Sequence, residues 1–207
     1  MKKTDLENEP ARIGVFGGSF DPPHIAHFIC ARIVAEKLDL QKVLVIPTAI
    51  QPHKLSGANA SPEIRWEMVK AAVVDDPLFE VSRMEIDRGG ISYTIQTMEE
   101  VSAIYPSPAN QLYYLLGYDA LADINDWKDP QGLFKIANVV AMARPGNSLS
   151  GEESGLIRKA TQVEIPRMEI SSTLIRQRVK QDLSIRYMVP DAVRLIIDKY
   201  GLYKFNI

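Results

Sequence analysis

Several features that define other classes of protein are missing from this chain of 207 residues. Its single cysteine, Cys30, excludes an intramolecular disulfide framework and a multi-cysteine zinc site. No apolar run approaches the roughly 18 residues that a membrane-spanning helix needs. The first ten residues, MKKTDLENEP, contain acids and lack the apolar segment of a secretory signal. We therefore predict a soluble protein of a reducing compartment, most simply the cytoplasm, with residues 1–10 as a disordered tail and 11–207 as a single domain.

An excess of charge of one sign is also absent. The chain has 24 Lys and Arg against 26 Asp and Glu, which gives a formal net charge of −2. This balance provides no long-range attraction to nucleic acid or to an anionic membrane. We therefore expect small molecules as partners, with no nucleic acid and no membrane, while a homo-oligomer is left open. Any phosphate must be bound by a few locally placed groups.

Short β-rich runs alternate with longer amphipathic segments along the chain. The pattern predicts strands at 12–16, 43–46, 79–81, 112–116, 138–143 and 163–165, and helices at 24–38, from 61, at 94–105 and from about 172 and 190. Such alternation is typical of right-handed βαβ units. The predicted fold is α/β, an open and mainly parallel sheet with helices on both faces and a small helical part at the C-terminus.

The first candidate site follows the first predicted strand. Gly17-Gly18 breaks that strand and allows the backbone to approach a ligand closely. A helix opens just beyond, and the free N–H groups of a helix N-terminus favour an anion. His24 and His27 are three residues apart, which places both imidazoles on one face near that end. An ordinary turn, a zinc pair and two structural histidines are alternatives, but the combination favours phosphate binding.

A second candidate site lies in Ile170-Ser171-Ser172-Thr173-Leu174-Ile175-Arg176. Either Ser171 or Ser172 can cap the predicted helix. Arg176 lies one turn into the helix, where the helix dipole mildly disfavours a cation, and no acid is present in the first turn to offset it. We interpret Arg176 as a residue that receives its negative partner from a ligand phosphate. The alternative is an exposed arginine in a salt bridge.

Three further segments carry polar or aromatic candidates. Asp119 follows the strongest predicted strand and suits ribose hydroxyls, and Trp127 could stack on a flat ring or simply be buried. In Ser92-Tyr93-Thr94 we predict Thr94 as a helix cap with backbone amides near an anion. Residues 48–60 form a loop that carries Lys54. Two phosphate-binding helix ends without a nucleophile and base predict nucleotidyl transfer by positioning and charge stabilisation.

These motifs resemble those of a known family. Gly17-Gly18-Ser19-Phe20-Asp21-Pro22-x-His24-x-x-His27 and Ile170-Ser171-Ser172-Thr173-x-x-Arg176 are similar to the H-x-G-H and I-S-S-T-x-x-R motifs of the nucleotidyltransferase superfamily. Ser92-Tyr93-Thr94, Gly117-x-Asp119, Trp127-Lys128, Arg144-Pro145-Gly146 and Ser184-Ile185-Arg186-Tyr187-x-Val189-Pro190 narrow the resemblance to the bacterial nicotinate mononucleotide adenylyltransferases. The resemblance covers about residues 12 to 203.

The resemblance implies a Rossmann-like fold and the reaction of ATP with nicotinate mononucleotide to give deamido-NAD and pyrophosphate, with Mg²⁺, in NAD biosynthesis. It implies catalytic roles for His24, His27 and Arg176. The ATP site would comprise Gly17, Gly18, Ser19, Phe20, His24, His27, Ser172, Thr173 and Arg176. The mononucleotide site would comprise Lys54, Tyr93, Thr94, Asp119 and Trp127. No protein residue is expected to be a metal ligand.

One position departs from the family pattern. Ala26 stands where H-x-G-H has glycine, and its methyl group is expected to shift the seating of ATP slightly. Nicotinamide mononucleotide is an alternative acceptor, and an adenylyltransferase of the phosphopantetheine type, from the same superfamily, is an alternative enzyme. A non-catalytic nucleotide-binding module is the alternative from another functional class, because it would keep the glycine turn without needing the histidine pair.

Overall fold

A computed structural model describes residues 12–52, 59–105, 111–146 and 155–204. Its centre is a six-stranded sheet in the order β3-β2-β1-β4-β5-β6, and every neighbouring pair is parallel. The strands are β1 (Ile13–Gly18), β2 (Lys42–Pro47), β3 (Phe79–Val81), β4 (Leu112–Gly117), β5 (Asn138–Ala143) and β6 (Thr161–Glu164). The predicted parallel α/β sheet is confirmed, with the strand order of a Rossmann fold.

The helices are α1 (Ile25–Leu38), α2 (Pro62–Ala72), α3 (Met84–Arg88), α4 (Thr94–Ile104), α5 (Tyr118–Ala122), α6 (Pro130–Ile136), α7 (Ser172–Lys180) and α8 (Asp191–Lys199). Ser61 caps α2 by accepting a hydrogen bond from the backbone N–H of Ile64, as Ser-Pro predicts. The short helices α3, α5 and α6 were not predicted. No helix in the described ranges is long and apolar enough to cross a membrane.

Alternate residues of each strand face two separate cores, which places helices on both sides of the sheet. In β1, Val15 packs with α4 residues such as Met98, whereas Phe16 packs with α1 residues such as Val34. Strands β2, β4 and β5 show the same alternation, and this explains why their sequences are continuous apolar runs. Cys30 is buried in the second core, as predicted, and burial raises the pKa of its thiol to about 11.

The C-terminal helices form a third core against α2, and this confirms the predicted C-terminal helical part. Met68 of α2 packs there with Ile175 of α7 and with Val193 and Ile197 of α8. This packing accompanies a contact between the first residue of α7, Ser172, and the turn that follows β1. The predicted tail, residues 1–10, lies outside the described residues and stays a prediction.

The sheet has its topological switch point at β1 and β4. The chain moves outward from β1 through β2 to β3, and then returns to the other side of β1 as β4. Ligands of open α/β sheets bind in the crevice at the carboxyl ends of such strands. The prediction that β1 ends before its glycines was wrong. Gly17 and Gly18 still pair with Ile46 and Pro47 of β2. The glycines therefore form the floor of this crevice.

Candidate active site

His24 and His27 form one unit at the start of α1. His24 is the N-cap with extended backbone rather than a helical residue, which corrects the expectation that both lie on the helix. The backbone N–H of His24 donates to Nδ1 of His27 at 3.1 Å. The two rings stack at 3.6 Å between centroids and 20° between planes. Nδ1 of His24 is buried, and among the described residues it has no hydrogen-bond partner.

Burial keeps both imidazoles neutral in the free protein. It lowers the pKa of His24 to about 4. Burial also holds the pKa of His27 well below its usual range, and a charge on His24 would lower it further. A polyphosphate beside these rings would have the opposite effect, because an adjacent anion favours the protonated imidazole. His24, whose Nδ1 has no hydrogen-bond partner among the described residues, is therefore able to take up a proton when an anionic ligand arrives.

Phe20 packs against His27 of this pair. Its backbone has a φ of 47°, an uncommon left-handed conformation for a bulky residue. The ring is turned into the core, where it meets His27 edge-on at 5.1 Å and Phe16 at 5.5 Å. A Cβ at position 18 would lie 3.2 Å from the Phe20 ring, so Gly18 leaves the room that this arrangement needs. The Phe20 ring is therefore closed to a ligand, since the residue is 2% exposed.

Asp21, the residue after Phe20, connects distant segments of the chain, and the sequence analysis did not identify it. Its buried carboxylate accepts hydrogen bonds from the N–H and Nδ2 of Asn59, from the N–H of Ala60 and from Oη of Tyr203, at 2.8 to 3.1 Å. These donors come from the loop after β2 and from the C-terminus. Asp21 therefore fixes the histidine turn relative to both.

Helix α7 reaches the same turn from the other side. Ser171 is the N-cap, since its Oγ accepts from the N–H of Leu174, and this resolves which serine caps the helix. Ser172 instead donates its hydroxyl to the carbonyl of Pro22 at 2.8 Å. Arg176 donates from Nη1 to the carbonyl of Asp21 at 2.7 Å and from Nη2 to Oγ1 of Thr173 at 3.2 Å.

Arg176 makes no salt bridge with any residue in the described part of the chain, so the alternative of an arginine held by a protein carboxylate is not observed. The first turn of α7 has no acidic residue either. Its half-buried guanidinium is oriented by a backbone carbonyl and a hydroxyl, and its charge is available to a ligand. The structure thus brings His24, His27, Ser172, Thr173 and Arg176 to one end of β1.

A cavity of about 160 Å³ opens on the other side of the glycines. Three residues that were predicted to share one site line this cavity, namely Tyr93, Thr94 and Trp127. The other lining residues are Val15, Gly17, Gly18, Thr48, Gln51, Pro52, Glu85, Ser92, Thr97, Tyr114, Asp126, Lys128 and Leu133. An engineered apolar cavity of about 150 Å³ holds one benzene ring, so there is room here for a single aromatic ring. Gly17 and Gly18 lie between this cavity and the histidine turn, because a Cβ at position 17 would face Tyr114 of the cavity and one at position 18 would face Phe20, the ring that contacts His27.

The polar and aromatic side chains of the cavity contact one another, and these contacts hold them in place. Thr94 does not cap α4, because Tyr93 is the N-cap and makes no side-chain cap bond. The Thr94 hydroxyl instead lies 3.4 Å from Oη of Tyr114, whose ring meets Trp127 edge-on at 6.1 Å. Nζ of Lys128 lies 4.4 Å from the centre of the Tyr93 ring. Trp127 is half-buried, so it forms a wall of the cavity and keeps a surface for a ligand.

One predicted residue, Asp119, lies apart from this cavity. Asp119 is in the first turn of α5, exposed at the carboxyl end of β4, and it does not line the cavity. Its place suits a ligand that extends across the strand ends. Lys54 lies outside the described residues, and its role stays a prediction.

Arg65 is a second residue that the sequence analysis missed. The residue is 1% exposed, and within the described ranges its guanidinium donates only to backbone carbonyls, those of Ser19, Thr48, Ala49 and Ala60. It thereby ties the turn after β1 to the loop after β2. Arg65 shares a buried helix face with Met68 and Val69, and a charged residue at such a position was the available signal.

The described residues contain no group of three or more His, Cys, Asp or Glu side chains that could hold a metal ion. The carboxylate of Asp21, in the turn that leads to His24, accepts hydrogen bonds from four protein donors. The described part of the protein therefore shows no cluster suited to a resident divalent cation. Mg²⁺ bound to a nucleotide usually keeps waters and phosphate oxygens as its main ligands.

Residues 15–178 of the chain match the family described as cytidylyltransferase-like. The chain belongs to this family. A relative from Desulfitobacterium hafniense (strain Y51), named "Probable nicotinate-nucleotide adenylyltransferase", is 40% identical over 97% of this chain and 99% of its own. One from Thermus thermophilus with the same name is 45% identical over 93% of this chain and 100% of its own.

Among solved structures, this cytidylyltransferase-like chain is similar to the Plasmodium falciparum nicotinic acid mononucleotide adenylyltransferase complexed with APC. The TM-score is 0.73 at 19% identity, with 94% of this chain and 98% of the other covered. At this identity the likeness establishes the fold, and it confirms the Rossmann-like architecture. The resemblance that the motifs indicated is confirmed by the bacterial relatives.

Proposed function

We propose that this enzyme transfers the adenylyl group of ATP to nicotinate mononucleotide, giving deamido-NAD and pyrophosphate. The observation that carries the proposal is the division of the crevice by Gly17-Gly18. On one side lies a cavity that fits a single aromatic ring, and on the other a histidine pair and Arg176. A mononucleotide with its base in the cavity would direct its phosphate toward the cationic side. The names of the bacterial relatives support the same activity.

The reaction requires positioning and charge stabilisation more than a nucleophile from the protein. An oxygen of the mononucleotide phosphate attacks the α-phosphorus of ATP, the bond to the β-phosphate oxygen breaks, and pyrophosphate leaves with the electron pair. His24 and His27 would donate hydrogen bonds to ATP phosphate oxygens, and Arg176 would bind the departing pyrophosphate. Such preorganised donors lower the barrier because they meet charge as it develops. Thr94 and Trp127 would hold the acceptor base.

Mg²⁺ enters this proposal as part of the nucleotide substrate. The triphosphate would hold the ion, since the described residues offer no ligand cluster for it. Ser172 and Thr173 would lie on the pyrophosphate side of the nucleotide, and Asp119 beside a ribose. We also propose a cytoplasmic location and small molecules as the only partners. The oligomeric state is left open.

The first experiment measures pyrophosphate release with ATP and Mg²⁺, using nicotinate mononucleotide or its amide at matched concentrations. We expect release with the acid, and a loss of about 10²-fold in kcat for R176A, the scale of removing one transition-state donor. R167A is the matched control, because Arg167 is exposed and its one salt bridge among the described residues is with Glu169 on the surface. Release with neither acceptor would reject the proposal and favour a nucleotide-binding module.

Nicotinamide mononucleotide is the second candidate acceptor, and one observation favours it. A carboxylate, that of Glu85, lies in the wall of the ring-sized cavity. An ionised carboxylate attracts the N–H groups of an amide and repels the carboxylate of nicotinate. The two acceptors differ only at this substituent, so the state of Glu85 bears directly on the choice between them.

A further inference from the structure

Tyr203, after the last helix, is a buried aromatic residue with a strained backbone. Its φ is 64°, in the left-handed region that bulky residues rarely adopt, and such strain persists only where the surrounding structure fixes it. The ring packs in the third core with Ile175 of α7 and Ile197 of α8. In this conformation the hydroxyl donates to Oδ1 of Asp21 at 2.8 Å. The end of the chain is thus joined to the turn that leads to the histidines.

The buried carboxylate of Asp21 is surrounded by neutral donors. Oδ2 accepts from the N–H and Nδ2 of Asn59, and Oδ1 accepts from the N–H of Ala60 and from Tyr203. Each oxygen of a carboxylate offers about two acceptor sites, so these four donors satisfy both oxygens. Tyr203 is the one donor of the four that comes from the C-terminal part of the chain. It occupies an acceptor site that a cation could otherwise take.

Two arginines lie close to this carboxylate, and neither forms a salt bridge with it within the described ranges. Nη1 of Arg176 donates to the main-chain carbonyl of Asp21 itself at 2.7 Å. Arg65 donates to backbone carbonyls. Burial and the Asp21 carboxylate raise the pKa of Tyr203, while both arginines oppose that rise, so the hydroxyl keeps its proton and stays a donor at ordinary pH.

We propose that Tyr203 is a positioning residue that keeps the charge of Arg176 available to pyrophosphate, by occupying the Asp21 oxygen that would otherwise attract the guanidinium. Without the hydroxyl, Oδ1 has a free acceptor site on a residue that Arg176 already contacts. A charge-assisted hydrogen bond between the two would then form, and ligand binding would have to break it. This inference rests on the proposed role of Arg176 and adds to it a residue outside the sequence motifs.

The test measures the affinity of the full-length protein for inorganic pyrophosphate by isothermal titration calorimetry. Y203F removes one oxygen atom and keeps the ring in the third core. We expect it to bind pyrophosphate about tenfold more weakly, a size typical of coupling within one hydrogen-bond network. Y200F is the matched control, because the Tyr200 hydroxyl also donates to a carboxylate, that of Glu67 at 3.0 Å on the exposed surface. Its affinity should equal that of the unmodified protein.

A double-mutant cycle separates this role from a general loosening of the turn. In the R176A background no guanidinium is left for Asp21 to attract, so adding Y203F should change the affinity by less than about twofold. A purely structural role would weaken binding by the same factor with and without Arg176, and that result would overturn the proposal. Unchanged affinity in Y203F alone would overturn it as well.

Kinetics provide a second readout. Arg176 does not line the ring-sized cavity, so Y203F should raise KM for ATP and leave KM for nicotinate mononucleotide unchanged. An equal rise in both KM values would contradict the role of Tyr203. Absence of pyrophosphate release with either acceptor in the unmodified protein would reject the proposed reaction itself. That outcome is distinct from the calorimetric result, because pyrophosphate binding does not require turnover.

Discussion

Acid should destabilise the free protein through His24, and the size of the effect follows from its burial. The imidazole is enclosed at the N-cap of α1, and burial lowers its pKa from 6.5 to about 4. In the unfolded chain His24 titrates near its ordinary pKa. The unfolded state therefore binds a proton at a pH where the folded state does not. Stability from this residue is complete above pH 6.5 and is lost as pH falls toward 4.

The magnitude can be calculated at pH 5. With a pKa of 6.5 unfolded and about 4 folded, linkage gives a loss of about 2 kcal/mol relative to alkaline pH. For a domain of this size that corresponds to a fall of about 4 to 8 °C in Tm. His27 has a pKa lowered for the same reason, so it adds to the loss. Glu85 acts in the opposite sense, because its raised pKa favours the folded state at low pH.

The assay is urea unfolding at pH 8 and at pH 5, with and without H24N. Asparagine is a good N-cap and does not titrate, so H24N keeps the helix start and removes the proton linkage. The difference in unfolding free energy between the two pH values should be about 2 kcal/mol smaller for H24N than for the unmodified protein. Equal pH dependence of the two proteins would refute the reasoning, since His24 would then not be held neutral by burial.

Three further predictions concern residues around the same turn. H27A should reduce kcat for pyrophosphate release by at least about 10²-fold, and unchanged turnover would remove His27 from the mechanism. R65M should lower the free energy of unfolding by about 3 kcal/mol, because four backbone carbonyls in buried or part-buried hydrogen bonds lose their donor; a loss under about 1 kcal/mol in urea unfolding would contradict this. Y203F should destabilise by about 1 kcal/mol by removing one donor to Asp21, and the same urea titration would show an unchanged midpoint if that bond contributed nothing.

The sheet could be predicted from the sequence because its strands are buried on both faces. Continuous apolar runs such as Val43–Ile46 and Leu112–Leu116 end at proline or glycine, and the observed strands agree with them to within two residues. The helices α2 and α7 begin at serine caps, which are local signals. The short helices α3, α5 and α6 lack enough turns to show a period, so no pattern could predict them.

Only the residues of the site that belong to sequence motifs could be predicted. Spacing brought out the histidine pair and Arg176, because both lie at helix starts with a local signature. It could not reveal that Tyr203 donates to Asp21 across 182 positions or that Arg65 binds the turn after β1. The prediction of Thr94 as a cap was wrong because a hydroxyl at a helix start was taken for a cap, whereas the structure directs it toward Tyr114.

The C-terminal part belongs to the same side of the site as the histidine turn, and this explains why motifs about 150 residues apart belong together. The hydroxyl of Ser172 and the guanidinium of Arg176 bind the carbonyls of the Asp21-Pro22 turn, and the carbonyl of Met188 accepts the first N–H of α1. Each contact removes freedom from the histidine turn before any ligand arrives. Positioning that is complete in the free protein need not be supplied by ligand binding energy, and a reaction without a protein nucleophile depends on such positioning.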